Sequence, residues 1–140
     1  MVKKTGSLFY AKGYNCAESC WLALTDVLPS DERNHGVQLA GGFGGGCARG
    51  ELCGAISGAV MVLGQYYGRM MGQPKHEKLR LLVEQLMDGV RGRYGSANCV
   101  EIKKHETVRA GNCTPVIDFV VELTEFLLDQ SLAEEQGECG

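Results

Sequence analysis

Seven cysteines are the residues of this 140-residue chain best suited to chemistry. They are Cys16, Cys20, Cys47, Cys53, Cys99, Cys113 and Cys139. No two of them stand three positions apart, so the sequence contains no Cys-x-x-Cys pair. This argues against a thioredoxin-like dithiol, a zinc knuckle and covalent haem attachment. A metal site in this chain would have to collect its ligands from distant segments.

The start of the sequence does not predict a secretory signal. Lys3 and Lys4 are not followed by an apolar run of about 7–15 residues. We therefore expect a cytoplasmic protein. In that reducing compartment, an odd number of thiols favours metal binding or redox chemistry over a disulfide framework.

The composition is that of one globular domain spanning residues 1–140. Hydrophobic residues make up 44% and charged residues 22% of the chain, and the net charge is -3. This charge balance predicts no nucleic-acid partner. The longest uncharged run, residues 52–68, is shorter than the ~20 residues that a spanning helix needs, so we expect no membrane partner. The sequence is compatible with a homodimer.

Apolar residues recur at intervals of three and four, which predicts helices throughout an all-α domain. We predict about five helices, over residues 4–12, 16–28, 52–71, 74–94 and from 115 onwards. Residues 30–34 are predicted to be a polar connection and residues 134–140 a flexible acidic tail. The helix over 52–71 is rich in glycine, and we place it at the centre of the bundle.

Four of the cysteines fall at predicted helix starts, namely Cys16, Cys53, Cys99 and Cys113. A helix N-terminus presents unpaired N–H groups and a partial positive charge. Both favour a thiolate over a thiol, so these positions suit redox chemistry or metal ligation. The alternative is that each cysteine is only a small buried hydrophobe.

Two further thiols could join such a site. Cys20 lies one helical turn beyond Cys16 and is either a spare ligand or part of the core. Cys47 lies in the glycine-rich loop, six residues before Cys53. We expect Cys139, in the predicted tail, to be a bystander.

Glycines around Cys53 are expected to shape the site. Gly45 and Gly46 lie in the preceding loop and would let backbone N–H groups approach the sulfurs. Gly54 and Gly58 are one turn apart and would let another helix approach closely. Arg49 either balances the charge of thiolates or is an ordinary surface arginine.

Three stretches of the sequence then carry a family resemblance. They are Tyr-Asn-Cys-Ala-Glu at 14–18, Gly-Gly-Phe-Gly-Gly-Gly at 41–46 and Glu-Leu-Cys-Gly-Ala-Ile-Ser-Gly-Ala at 51–59. The chain resembles the redox-active C_GCAxxG_C_C family, whose members have four cysteines and a Cys-Gly-Ala-x-x-Gly motif, here at 53–58. The resemblance implies that Cys99 and Cys113 are the downstream pair, and Cys47 is a departure from the pattern. A related domain occurs in split-Soret cytochromes, but their Cys-x-x-Cys-His haem sites are missing here.

These observations together predict a small redox protein. We expect Cys16, Cys53, Cys99 and Cys113 to bind an iron–sulfur cluster and to exchange electrons with a partner protein. We expect such a protein to act as an electron carrier or redox partner and not as a stand-alone enzyme. A metal-free dithiol–disulfide protein is the first alternative. A structural zinc protein is the second alternative. It ranks last, because structural zinc sites commonly use close cysteine pairs and this sequence has none.

Overall fold

The computed structural model describes residues 5–109 and 112–138, and within these ranges the chain is all-α, as predicted. The helices are α1 Thr5–Ala11, α2 Cys16–Leu24, α3 Ser30–Ala40, α4 Gly54–Tyr67, α5 Glu77–Tyr94, α6 Cys99–Ile102, α7 Glu106–Arg109 and α8 Thr114–Glu138. Between α3 and α4 the chain forms a short 3-10 turn, Gly41–Phe43, and a tight loop, Gly46–Gly50. No helix in the described ranges is both long and apolar enough to cross a membrane.

Helix α4 lies at the centre of the bundle and contacts α2, α5 and α8. Its apolar side chains Ile56, Val62 and Leu63 are fully buried. They pack with buried residues of the neighbouring helices, including Leu86 of α5 and Ile117 of α8. The prediction of a glycine-rich central helix is therefore confirmed, and burial of its apolar surface stabilises the fold by ~25 cal/mol per Å².

Helices α2, α4 and α5 are shorter than predicted, and α2 ends at Leu24 instead of at residue 28. Helix α4 begins at Gly54 because Leu52 forms an isolated antiparallel bridge with Asn98. It ends at Tyr67 because Gly68 has an extended conformation. Helix α5 begins at Glu77, after the predicted proline start, where the His76 side chain accepts a hydrogen bond from the Lys78 N–H.

Residues 30–34, predicted to be a polar connection, instead form the first half of helix α3. Asp31 and Glu32 lie in its first turn, where negative charge complements the helix dipole. The buried Gly36 packs against the ring of Trp21, and the Trp21 indole N–H donates to the Arg33 carbonyl at 2.9 Å. The Arg33 guanidinium in turn donates to the Leu22 carbonyl at 2.7 Å. The ring contact and these two hydrogen bonds, not an apolar stripe, therefore hold this helix to α2.

The C-terminal segment also differs from the prediction. Helix α8 continues to Glu138, so residues 134–138 of the predicted tail are helical. Cys139, predicted to be a bystander, lies outside the described residues. The short helix α7 was not predicted.

Candidate four-cysteine site

Cys16, Cys53, Cys99 and Cys113 line one small, closed cavity of about 10 Å³. The rest of its wall is formed by Gly54, Ala55, Ile102, Lys103, Val116 and Ile117. Three of the four thiols are buried and Cys113 is half-buried. The structure therefore brings together four cysteines that are spread over almost 100 residues of sequence.

Helix starts position all four of these cysteines. Cys16 is the first residue of α2, where Asn15 and Glu18 form a reciprocal capping box. Cys99 is the first residue of α6. The carbonyl of Cys53 accepts the first hydrogen bond of α4, and that of Cys113 accepts the Ile117 N–H at 3.0 Å. Four helices thus point their N-terminal ends at one place.

A short backbone bridge fixes Cys53 relative to Cys99. The Cys53 N–H donates to the Ala97 carbonyl at 2.9 Å, and the Cys99 N–H donates to the Glu51 carbonyl. Because side chains alternate along extended backbone, these bonds put both cysteines on the same face of the bridge. The bridge therefore sets the positions of two thiols from segments 46 residues apart in sequence.

Burial, more than the helix ends, governs the protonation of Cys53 and Cys113. Loss of water raises the pKa of Cys53 to about 12, although the N–H groups of Ala55 and Ile56 act in the opposite direction. No conventional capping hydrogen bond reaches the Cys53 sulfur. Burial likewise raises the pKa of Cys113, with a further contribution from the Cys16 thiol. The expectation that helix N-termini would make these two residues thiolates is wrong for the metal-free chain.

Glycines allow the close packing around the sulfurs. A Cβ added at Gly54 would lie 2.4 Å from the Cys16 sulfur, and one at Gly58 would lie 2.3 Å from the Ala17 carbonyl oxygen. Gly46 has a φ of +65°, and its added Cβ would lie 2.6 Å from the Glu51 nitrogen. These three positions have no room for a side chain without rearrangement.

The other residues predicted to shape the site lie farther from its centre. Gly45 also has a φ of +65°, but an added Cβ there would meet nothing within 4 Å. Arg49 and Cys47 are exposed and line neither of the cavities next to the four thiols. Cys47 and Ala48 have left-handed backbone, with φ of 57° and 61°, which is uncommon for residues with a Cβ.

Cys20 is fully buried behind the site. Burial raises its pKa well above the ordinary value, and the Cys53 and Cys16 thiols raise it further. This coupling shows that Cys20 lies near those two thiols, although it does not line their cavity. Its place in the hydrophobic core matches one of the two predicted roles.

Two neighbours of Cys113 did not emerge from the sequence. The Tyr10 hydroxyl faces the Cys113 thiol and lowers the pKa of Cys113 against the effect of burial. Lys103 acts in the same direction through its positive charge. Lys103 stands four residues after Cys99, and this helical spacing could have identified it. Tyr10 comes from α1, about 100 positions earlier, and no sequence signal marks it.

The four thiols are suitable ligands for an iron–sulfur cluster, but the cavity between them is too small to hold one. Four thiols are the usual protein ligands of such clusters. The cavity among them, however, holds no more than about one water-sized atom. Within residues 5–109 and 112–138, no group of three or more His, Cys, Asp or Glu side chains is arranged to hold a metal ion. A cluster would thus require the thiols to rearrange.

Comparison with known proteins identifies the family of this chain. Residues 14–127 match the family described as "Putative redox-active protein (C_GCAxxG_C_C)". The chain belongs to the C_GCAxxG_C_C family. An uncharacterized protein of Archaeoglobus fulgidus is 27% identical to it over 128 residues, with 79% of this chain and 82% of the relative covered. No solved structure matches the chain. Membership of the C_GCAxxG_C_C family supports a redox role.

Proposed function

We propose that Cys16, Cys53, Cys99 and Cys113 bind an iron–sulfur cluster and that the protein carries electrons to or from a partner protein. The observation that supports this most is the convergence of four cysteines, from four separate helix starts, on one cavity. A dithiol needs only two cysteines in contact, whereas cluster ligation needs four. The redox description of the family agrees with this role.

The protein residues would hold the cluster and exclude water from it. When bound, the cluster supplies a one-electron redox couple whose potential depends on its surroundings. Val116, Ile117 and Ile102 form an apolar wall around the sulfurs. The N-terminal turns of α2 and α4 and the ammonium of Lys103 would offset the negative charge of four thiolates. Each of these features favours a buried centre that passes electrons without exposing the cluster to solvent.

Cluster binding has to displace protons from the thiols. Because the pKa of Cys53 is about 12 and that of Cys113 is raised, both are protonated at neutral pH in the metal-free chain. Metal ligation requires thiolate, so each binding event releases protons to solvent. We therefore expect the affinity for iron to increase with pH across the neutral and mildly alkaline range.

A second candidate is a metal-free dithiol that cycles to a disulfide. The small cavity favours it, because about 10 Å³ among the four thiols leaves no room for a cluster. In this case two of the thiols would lose two electrons and two protons to a disulfide partner, which would be reduced to two thiols. A structural four-cysteine zinc site is a third candidate, and no feature of the cavity favours it over the first two.

Anaerobic purification separates these candidates. The cluster proposal predicts brown protein with broad visible absorption and with iron and acid-labile sulfide bound in similar amounts. Colourless protein whose thiol count falls by two on mild oxidation would support the dithiol instead. Stoichiometric zinc in colourless protein would support the structural site.

A further inference from the structure

A larger cavity opens on the protein surface directly beside the four-cysteine site. Its volume is about 380 Å³, and its walls are Tyr10, Lys103, Val108, Arg109, Asn112 and Cys113. Cys113 and Lys103 line this cavity and also the small one in which the four thiols meet. Cys113 is also the most exposed of the four. It therefore stands between the buried sulfurs and a molecule in the open cavity.

The charge of the cavity wall is positive. Lys103 and Arg109 are both exposed, and neither forms an ion pair within the described part of the chain. Among the described residues that line the cavity there is no carboxylate. The whole chain has a net charge of -3, so this positive charge is a local feature. Such a wall attracts and orients anions.

The rest of the wall suits an organic molecule. The Tyr10 ring is half-buried and Val108 is buried, and both line the cavity. They therefore contribute apolar surface beside the charged groups. A concave site of about 380 Å³ lies within the usual range of ~300–1,000 Å³ for small-molecule sites.

We propose that the cavity formed by Tyr10, Lys103, Val108, Arg109, Asn112 and Cys113 binds a small organic anion next to the Cys113 sulfur. Lys103 and Arg109 bind the anionic group, and Tyr10 and Val108 contact the organic part. The inference rests on the proposed redox role, since it places the ligand beside Cys113, the most exposed of the four cysteines.

Two disulfide probes of different charge test the proposal on the metal-free, full-length chain. One is the dianionic dithiobis(nitrobenzoate) and the other the neutral dithiodipyridine. In both reactions the Cys113 thiolate attacks one probe sulfur, the probe S–S bond breaks, and one aromatic thiolate leaves as the mixed disulfide forms. Cys47→Ser and Cys139→Ser are included throughout, so that Cys113 is the most accessible thiol left. Cys113→Ser in this background should abolish the fast reaction.

We expect the rate with the anionic probe to saturate as its concentration rises and the rate with the neutral probe to stay linear. Lys103→Ser together with Arg109→Ser should lower the anionic rate about tenfold, a typical size for a local electrostatic effect. The neutral rate should fall less, because it senses Lys103 only through the pKa of Cys113, which Lys103 lowers, whereas the anionic probe is also attracted by the charged wall. Lys104→Ser is the matched control, since Lys104 is exposed, pairs with Glu101 and does not line the cavity.

Three results would overturn the proposal: equal loss of rate with both probes, the same loss in Lys104→Ser, or no saturation with the anionic probe. Iron and sulfide content is measured on separate anaerobic samples. A failure of the pocket proposal can then be told apart from a failure of the proposed cluster. A cluster with no charge selectivity rejects the pocket alone. Charge selectivity in a chain that never binds iron rejects the cluster alone.

Discussion

The sulfur of Cys16 lies against Gly54, close enough that a Cβ on Gly54 would be 2.4 Å from it. The same Cβ would lie 2.8 Å from the Phe43 carbonyl oxygen. The first glycine of the Cys-Gly-Ala-x-x-Gly motif is therefore a direct steric neighbour of a cysteine 38 positions earlier in the sequence. This contact connects the conformation of the motif to the placement of the thiols.

Gly54→Val should therefore disturb the site more than the fold. The larger side chain would push Cys16 away from the other three cysteines, because the backbone behind it cannot yield easily. We expect at least a severalfold loss of bound iron with most of the helical circular dichroism retained. Full iron content in this variant would show that Cys16 need not stay in its present position.

Gly58 and Gly64 make a matched pair within helix α4. A Cβ at Gly58 would lie 2.3 Å from the Ala17 carbonyl oxygen, whereas one at Gly64 would meet nothing within 4 Å. Gly58→Ala should lower the free energy of unfolding by about 1–3 kcal/mol through overpacking against α2. Gly64→Ala should raise it by up to about 1 kcal/mol, because alanine is the better helix former. Urea unfolding of both variants measures the difference, and equal effects would refute the close packing of α2 on α4.

Gly36 should be equally intolerant of a side chain. An added Cβ would lie 1.9 Å from the ring of Trp21, whose indole N–H bonds to Arg33. We expect Gly36→Ala to lower the free energy of unfolding by about 1–3 kcal/mol. The emission of Trp21, the single tryptophan of the chain, should shift to longer wavelength as the ring becomes more exposed. Gly92→Ala, where nothing lies within 4 Å, is the control and should leave the emission unchanged.

The stability of the metal-free chain should fall at alkaline pH. Burial raises the pKa of Cys53 in the folded state to about 12, above its unfolded value, so the folded chain holds this proton longer. The stabilisation is fully present below the unfolded pKa of ~8.5 and is lost as the pH rises towards the folded value. Each such thiol contributes a slope of up to about 1.4 kcal/mol per pH unit in this window.

Replacing Cys53 by Ala should reduce that slope. Cys20, whose pKa is also raised by burial, would account for part of the slope that remains. Denaturant unfolding of both proteins at several values between neutral pH and about pH 11 measures the change. An unchanged slope in Cys53→Ala would mean that Cys53 is not buried in the metal-free chain.

The sequence predicted those parts of the fold that depend on local signals. The capping box of Asn15 and Glu18 is visible as a motif, and both of its hydrogen bonds form, at 2.8 and 2.9 Å. Gly95 ends helix α5 in the left-handed conformation that glycine adopts easily. The placement of four cysteines at helix starts followed from the same kind of signal. Each of these features involves residues within about one helical turn of each other.

Features that depend on distant contacts were missed. The first half of helix α3 was missed, because the helix buries only Gly36 and Ala40 and no apolar stripe marks it. The bridge between Leu52 and Asn98 is too short to leave a strand pattern. The raised pKa of Cys53 depends on burial by several helices, which the charge at one helix end does not reveal.

Iron and acid-labile sulfide content per chain, measured in single Cys→Ser variants purified without oxygen, tests the central claim most directly. We expect Cys16→Ser, Cys53→Ser, Cys99→Ser and Cys113→Ser each to lose most of the cluster and its visible absorption, while circular dichroism shows the helices intact. Cys47→Ser is the matched control, since Cys47 is exposed and lies outside the cavity, and it should keep the wild-type content. Equal loss in Cys47→Ser, or wild-type iron and sulfide in any of the four variants, would contradict a cluster held jointly by these cysteines.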